Sequence, residues 1–224
     1  MHGVGDFGHN CAGHLRFGRS GKLKIRCWKT VGHGPLALTS AIQRSCNPYF
    51  MQLSCDIGND RMANAFDMLN LGRPTGIKLP AEDRGIIPGS EWWRRELHPG
   101  EAMTPARMAM LAIGQDESEA TPLQLAALTA CIANGGKYYR PRIIKMVVDP
   151  KEGVLVSDIP ELRVDLLAEG MNAEQFADLR LGMWKAANEL GGTARRASPE
   201  DVEIGAKTGT AQTTDFGQKS HNAW

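Results

Sequence analysis

Ala41-Ile42-Gln43-Arg44-Ser45-Cys46-Asn47-Pro48-Tyr49-Phe50 is the stretch on which the reading of this chain turns. Upstream of it, Leu36, Ala37, Leu38, Ala41 and Ile42 suit one face of a helix with Pro35 near its start. That helix stops at Ser45-Cys46-Asn47, because Pro48 disfavours helical geometry in the residue before it. A second helix opens at Pro48, turns Tyr49, Phe50, Leu53 and Ile57 inward, and ends near Gly58. A break between two apolar helices can open Ser45 and Asn47 to a cleft. Asn47 then offers both a donor and an acceptor to an amide, and Ser45 can relay a proton between a base and a leaving amine. Taken alone, a Ser-x-Asn triplet is common and ordinarily marks a turn.

Outward from the break, a third helix covers residues 61–69, and residues 72–100 are rich in Gly and Pro with short extended pieces. Thr121-Pro122 reads as an N-cap and first helical residue, with the helix running to Asn134 and stopping at Gly135-Gly136. Residues 142–148 are rich in β-formers. Residues 172–190 form the longest helical candidate, opened by Asn172 with Gln175 three residues on. Residues 202–212 read as a strand and carry a second short signature, Lys207-Thr208-Gly209-Thr210. On a strand, Lys207 is a fixed positive charge for a carboxylate. Gly209 leaves room for a ligand along the strand, and the Thr210 N–H can point at a developing oxyanion. Helices come first and the best strand comes late, which predicts an α+β domain rather than βαβ alternation.

The N-terminal 34 residues hold four of the six histidines and two of the five cysteines, are rich in glycine, and lack helical periodicity. They read as loops and short strands, ordered by the Cys and His content rather than left as a flexible tail. The organisation predicted is one domain over residues 1–224: a Gly/Cys/His-rich loop region at 1–34, a helical part at 35–140, and a sheet with a flanking helix at 141–224.

The composition, with 42% hydrophobic and 23% charged residues, is globular rather than disordered. A formal net charge of +1 lacks the basic excess of a nucleic-acid binder. The longest apolar run, residues 108–113, is far short of the ~20 residues a membrane helix needs. The first residues, Met1-His2-Gly3-Val4-Gly5, do not form a signal peptide, and an odd number of cysteines leaves one over from a purely disulfide framework.

The two signatures together, with their surroundings, resemble the transpeptidase domain of the class B penicillin-binding proteins, on the penicillin-binding protein 2 branch. The resemblance runs from Cys27-Trp28 and Gly32-His33-Gly34 through residues 41–50 to Pro74-Thr75-Gly76-Ile77-Lys78-Leu79-Pro80-Ala81-Glu82. It continues through Ile113-Gly114-Gln115, Thr121-Pro122-Leu123-Gln124-Leu125, Ile132-Ala133-Asn134-Gly135-Gly136 and Lys207-Thr208-Gly209-Thr210-Ala211-Gln212, in the family's order. It implies a helical subdomain plus an antiparallel sheet with flanking helices, the β-lactamase-like fold. It implies a D,D-transpeptidase that passes the acyl group of a peptidoglycan stem peptide through an acyl-serine and is the target of β-lactam antibiotics. Ser45 would assist proton transfer, Asn47 would orient the substrate amide, and Lys207 with Thr208 and Thr210 would bind the terminal carboxylate. Cell-elongation proteins are the implied partners, the periplasmic face of a bacterial inner membrane the implied location, and no organic cofactor is implied.

Two departures stand out. Asp116 replaces the family's usual Gly after Gly114-Gln115. No serine is followed three residues on by lysine, and the sole Thr-x-x-Lys, Thr75 to Lys78, lies in a segment the family uses structurally. The expectation is a domain cut short at both ends, lacking its nucleophile; the alternative is a pseudoenzyme. Rival classes are a non-catalytic zinc-binding interaction module and a β-lactamase-type hydrolase, the latter disfavoured because the match extends well beyond the catalytic triplets.

Cys11, Cys27, His33 and Cys46 are three thiols and an imidazole in one compact stretch ending at the helix break. They predict a structural Cys₃His zinc site, with which the resemblance agrees; a Cys11–Cys27 disulfide is the competing reading. Cys55 and Cys131 are expected to be buried free thiols. Trp92-Trp93-Arg94-Arg95 reads as a surface loop packed by its tryptophans, with glycan binding as the alternative. Glu117 and Glu119 are expected to be solvated. Met103, Met108 and Met110 are expected in the core.

Overall fold

Glycine and proline mark out the N-terminal third. The computed structural model describes residues 8–17, 21, 23–211 and 221–223. Its first elements are the strands β1 (His9–Cys11), β2 (His14–Phe17), β3 (Leu23–Arg26) and β4 (Gly34–Leu36). β2 pairs antiparallel with β3, and β1 with β4, Cys11 opposite Gly34. Gly13 and Gly32 let two loops touch backbone to backbone. A Cβ on Gly13 would lie 2.0 Å from the Thr30 carbonyl oxygen, and one on Gly32 would lie 2.2 Å from that of Cys11. No larger residue fits either place.

Pro35 and Leu36, expected to open the first helix, belong instead to strand β4, and α1 spans only Leu38–Gln43. Ala37 is extended, and the Ser40 hydroxyl accepts from its N–H at 3.1 Å and donates to its carbonyl at 2.9 Å, which fixes the start of the helix there. The next helices fall as predicted: α2 (Asn47–Ile57) and α3 (Asn59–Met68), joined at Gly58 in the left-handed region. Within residues 72–100 Trp93–Leu97 make a π-helical turn, with Trp93 wholly buried. A helix not anticipated, α4 (Pro105–Leu111), follows, capped by the Thr104 hydroxyl. The apolar run at residues 108–113 lies mostly in it, and Met108, Ala109 and Leu111 are buried.

α5 (Pro122–Ala133) opens with a capping box in which Thr121 and Gln124 bond each other's backbone N–H. Then come β5 (Lys137–Tyr139), β6 (Met146–Asp149), β7 (Gly153–Ser157) and β8 (Leu162–Asp165). β6 pairs with β7 as a hairpin and β5 pairs with β8. The β-rich stretch therefore begins its ladder at Met146, not Arg142. α6 (Ala173–Asn188) carries the predicted Asn172–Gln175 capping box. β9 (Gly209–Ala211) pairs with β10 (His221–Ala223), while residues 202–208 join no ladder and Gln212 lies outside the described residues.

The α+β class stands, but among the described residues the strands form five separate antiparallel pairs rather than one sheet. The long helix was expected on a sheet; α6 packs instead on α1, with Leu179 and Met183 against the core of Ala41, Ile42, Cys46 and Tyr49. Gly182 allows that approach, since a Cβ there would stand 2.9 Å from Ile42 Cβ. The segment before Lys207 runs along the same helix: Ala206 N–H donates to the Met183 carbonyl at 3.0 Å, and Ile204 and Ala206 pack on Ala186 and Ala187. Helix α6 thereby holds the late Lys-Thr-Gly segment beside the α1–α2 turn. No helix of the described residues is long and apolar enough to cross a membrane.

Candidate functional site

The turn between α1 and α2 closes with paired reverse hydrogen bonds. Ser45 N–H donates to the Ile42 carbonyl at 3.1 Å and Cys46 N–H to the Ala41 carbonyl at 3.0 Å. That is a Schellman arrangement, whose left-handed position glycine usually fills. Here Ser45 fills it, with φ 50°. The Trp28 indole N–H braces the turn from outside, reaching the Arg44 carbonyl at 2.9 Å and that of Ser45 at 3.1 Å. On the far side Gln43 donates to Glu189 and to the Leu190 carbonyl, both at 3.2 Å, tying the end of α1 to the end of α6. Asn47, half-buried, is the first residue of α2, two positions beyond Ser45.

Across 162 residues of sequence, Lys207 Nζ donates to Ser45 Oγ at 2.8 Å. It also donates to the Thr208 carbonyl at 2.8 Å, leaving one of its three protons for a ligand. Lys207 is open to solvent, yet the protein around it desolvates the ammonium and lowers its pKa below the ordinary lysine value. Two residues that sequence reasoning missed fix the segment: Thr193 Oγ1 accepts from Thr208 Oγ1 at 3.0 Å, and the Gln115 amide donates to the Thr210 carbonyl at 3.2 Å. Gly209 and Thr210 begin β9. The structure thus brings the two signatures into direct contact.

Gln115 belongs to the loop where Asp116 replaces a usual glycine. Asp116 adopts φ 68°, the left-handed region that glycine favours, so the loop keeps its path. Arg107 holds the Asp116 carboxylate at 2.9 Å. Glu117 is not simply solvated as expected: it accepts from the buried Trp93 indole at 3.0 Å and pairs with His98 at 2.8 Å. The Trp93 hydrogen bond, with the nearby His98 and Arg107, holds its carboxyl below the usual glutamate range.

Behind the Ser45 turn, Cys11 from β1, Cys27 after β3, His33 before β4 and Cys46 from the turn itself converge. Their ligand atoms all lie within 4.8 Å of one another, and all four residues are buried. Cys27 Sγ is 3.5 Å from His33 Nδ1. A hydrogen bond from Cys46 pulls the Cys27 thiol well below its usual pKa, and the same bond, together with burial, pushes Cys46 up. Burial holds the His33 imidazole neutral by lowering its pKa. All five cysteines are free thiols, and His33 Nε2 is a buried nitrogen without a hydrogen-bond partner. Three soft donors and a neutral imidazole, shut away from water, suit a tetrahedral zinc ion. Cys131 is buried as expected, while Cys55 is half-buried.

With this geometry in hand, comparison with known proteins is direct. A family model described as the penicillin binding protein transpeptidase domain matches residues 13–224. The stage V sporulation protein D of Bacillus subtilis is 32% identical over 200 residues, which covers 89% of this chain and 28% of that protein. The peptidoglycan D,D-transpeptidase MrdA of Haemophilus influenzae is 32% identical over 198 residues, 84% of this chain and 28% of that protein. Among solved structures, the complex between the penicillin-binding protein PBP2 and MreC from Helicobacter pylori superposes with a TM-score of 0.79 at 27% identity, covering 99% of this chain and 38% of that one. The chain spans less than a third of the length of these curated relatives.

Proposed function

Because this chain belongs to the penicillin-binding protein transpeptidase family, we propose that it works as a peptidoglycan D,D-transpeptidase domain whose carboxylate-binding and proton-relay side these residues build. The observation that carries the reading is the contact between Lys207 Nζ and Ser45 Oγ at 2.8 Å.

In the proposed reaction a serine oxygen attacks the penultimate D-Ala carbonyl of a stem peptide. The peptide bond breaks, the terminal D-Ala leaves as an amine after gaining a proton, and an amine of a second stem then displaces the serine. Ser45, already accepting from Lys207, passes a proton toward the leaving nitrogen. The lowered pKa of Lys207 makes the neutral amine easier to reach, so Lys207 can resupply or take up that proton. The remaining Lys207 proton and the Thr210 hydroxyl receive the terminal carboxylate, joined by the Thr208 hydroxyl once it turns from Thr193. Thr210 N–H faces the developing oxyanion, Gly209 leaves space beside the strand, and Asn47 orients the substrate amide. The nucleophile has no match here, since no serine in this sequence is followed three residues on by lysine.

Cys11, Cys27, His33 and Cys46 hold a structural zinc ion in this reading, whose contribution is to neutralise the thiolates and clamp the N-terminal strands to the Ser45 turn. β-Lactams are the proposed inhibitors only where the acylating serine accompanies these residues, as the whole protein would require, and the bacterial cell envelope, on the periplasmic face of the inner membrane, is the proposed location. The similarity to a PBP2 captured with MreC supports a cell-elongation protein as partner.

The test is titration of the chain with a diacylated Lys-D-Ala-D-Ala peptide, followed by NMR. Binding should weaken about tenfold in Lys207→Gln, as loss of a charged hydrogen bond dictates. It should also fall away as pH rises through the depressed Lys207 pKa, because the ammonium that receives the carboxylate is then lost earlier than an ordinary lysine would lose it. Equal binding of the C-terminally amidated peptide would refute the reading.

A further inference from the structure

Helix α4 ends in the same paired reverse hydrogen bonds as α1. Gly114 N–H donates to the Leu111 carbonyl and Gln115 N–H to the Met110 carbonyl, both at 3.0 Å, with Gly114 in the left-handed region at φ 71°. The turn delivers Gln115 to the point from which its side-chain amide reaches the Thr210 carbonyl at 3.2 Å. The Ser118 hydroxyl donates to the Gln115 carbonyl at 2.9 Å, so both backbone groups of Gln115 are bonded within the loop. Asp116 follows, left-handed at φ 68°. A glycine there would adopt this conformation among many others. Aspartate narrows the choice and adds a carboxylate by which the loop can be held.

The group that holds it is itself fixed. Arg107, on α4, donates its Nε–H to Asp116 at 2.9 Å and an Nη1–H to Glu101 at 3.1 Å, and its Nη2 lies 3.3 Å from Glu117. Its guanidinium stands 4.7 Å over the ring of the wholly buried Trp93. His98 stacks on that same ring, with centroids 4.3 Å apart, and bridges Glu101 at 3.1 Å and Glu117 at 2.8 Å. An ion pair on open surface contributes little, because two long side chains must be ordered to make it. Here the Trp93 ring and three carboxylates already order the guanidinium, and the Arg107 and Asp116 side chains are each only 22% exposed. A line of contacts therefore runs from the core at Trp93 through Arg107 and Asp116 to Gln115 and the Thr210 carbonyl. That carbonyl lies one peptide beyond the Thr210 N–H.

We propose that Arg107 and Asp116 are positioning residues for the Lys207–Thr210 segment: Arg107 holds Asp116, Asp116 fixes the loop, and the loop keeps Gln115 on the Thr210 carbonyl. Neither residue touches a ligand. Their effect is on how firmly the Thr210 N–H and hydroxyl are oriented before a ligand arrives, and donors fixed in advance bind charge better than donors that must first be ordered. Where the family's usual glycine has no side chain, this chain has an anchor. That the ligand is the D-Ala-D-Ala end of a stem peptide rests on the transpeptidase reading; the route from Arg107 to Thr210 rests on the contacts alone.

The test compares Asp116→Gly, Arg107→Gln and Gln115→Ala, singly and with each of the first two combined with the third. The NMR signal of the Ala211 amide nitrogen, bonded to the Thr210 carbonyl carbon, reports whether that carbonyl keeps its donor. The Trp28 indole signal, set by the Ser45 turn, reports that each variant is folded. All three single variants should move the Ala211 signal in the same direction and weaken binding of the diacylated Lys-D-Ala-D-Ala peptide about fivefold, as loss of one neutral hydrogen bond dictates. Because Arg107 and Asp116 act through Gln115, neither Asp116→Gly nor Arg107→Gln should weaken binding further once Gln115 is alanine. Losses that instead multiply to about 25-fold would mean independent effects and overturn the proposal, as would an Ala211 signal unmoved in Asp116→Gly or in Arg107→Gln. A wild-type chain that never binds the peptide refutes the transpeptidase reading and leaves the Ala211 shifts intact. An unmoved Ala211 signal refutes the positioning role and leaves Lys207-dependent binding intact.

Discussion

Ser45 occupies a backbone position made for glycine, and replacing it separates conformational strain from chemistry. Ser45→Ala and Ser45→Gly both remove the hydroxyl that accepts from Lys207. They differ in what the backbone feels at φ 50°. A Cβ in the left-handed region costs about 1–2 kcal/mol, which alanine keeps and glycine sheds. Glycine gives back about 0.4–1 kcal/mol through the greater freedom of its unfolded chain. The balance predicts Ser45→Gly more stable than Ser45→Ala by about 0.5–1 kcal/mol, or roughly 1–4 °C in Tm for a chain of this size. Urea denaturation of both variants, with equal m-values, measures the gap. Both should lose the Lys207-dependent binding of a Lys-D-Ala-D-Ala peptide in part and to the same degree. If alanine proves as stable as glycine, the turn is not strained at Ser45 and the account of why the helix breaks there is wrong.

Purified without chelator, the chain should carry about one equivalent of zinc, lost in Cys46→Ala, as a closed Cys₃His set requires; metal-free protein with a Cys11–Cys27 disulfide by mass spectrometry would remove the site. Gly182→Ala should destabilise by about 1 kcal/mol despite its better helix propensity, because overpacking against Ile42 Cβ outweighs the gain; a raised Tm would show that α1 and α6 part easily. Incubation with a fluorescent penicillin should leave no label after denaturing electrophoresis, since no Ser-x-x-Lys is present to start acylation, and a stable adduct on Ser45 would contradict the relay assigned to it.

What could be read from the sequence divides along the range of the forces involved. The caps Thr121 with Gln124 and Asn172 with Gln175 are satisfied within four residues, so α5 and α6 were legible to within two residues at each end. The same logic covers Thr104-Pro105 at the head of α4, which went unread because the short run behind it was weighed only as a membrane span. Pro35 and Leu36 were misread because the apolar spacing from Leu36 suits a helix, while their ladder partners in β1, Asn10 and His9, lie far upstream. The strand expected over residues 202–212 was overextended for a related reason: Ile204 and Ala206 are matched to Ala186 and Ala187 on α6, not to a neighbouring strand.

The site follows the same division with a different outcome. Nothing in the spacing of Ser45 and Lys207 says that they touch; the family resemblance implied only that both serve one substrate, and the direct contact of the two atoms comes from the structure. The four metal-ligand candidates were found by residue type, because three thiols and an imidazole in one short stretch have few other uses once buried. Thr193 and Gln115 carry no such chemical signature. They position the Lys-Thr-Gly segment through single hydrogen bonds from elements 15 and 95 residues away, and only the folded chain makes them neighbours. Trp92 and Trp93 are the extreme case. The two adjacent tryptophans are equivalent in sequence until the Glu117 carboxylate takes the indole N–H of Trp93 and Arg84 stacks on the ring of Trp92. Chemistry concentrated in one segment can be read along the chain, whereas a surface assembled from distant single residues becomes visible only when packing has decided which of them face the same water.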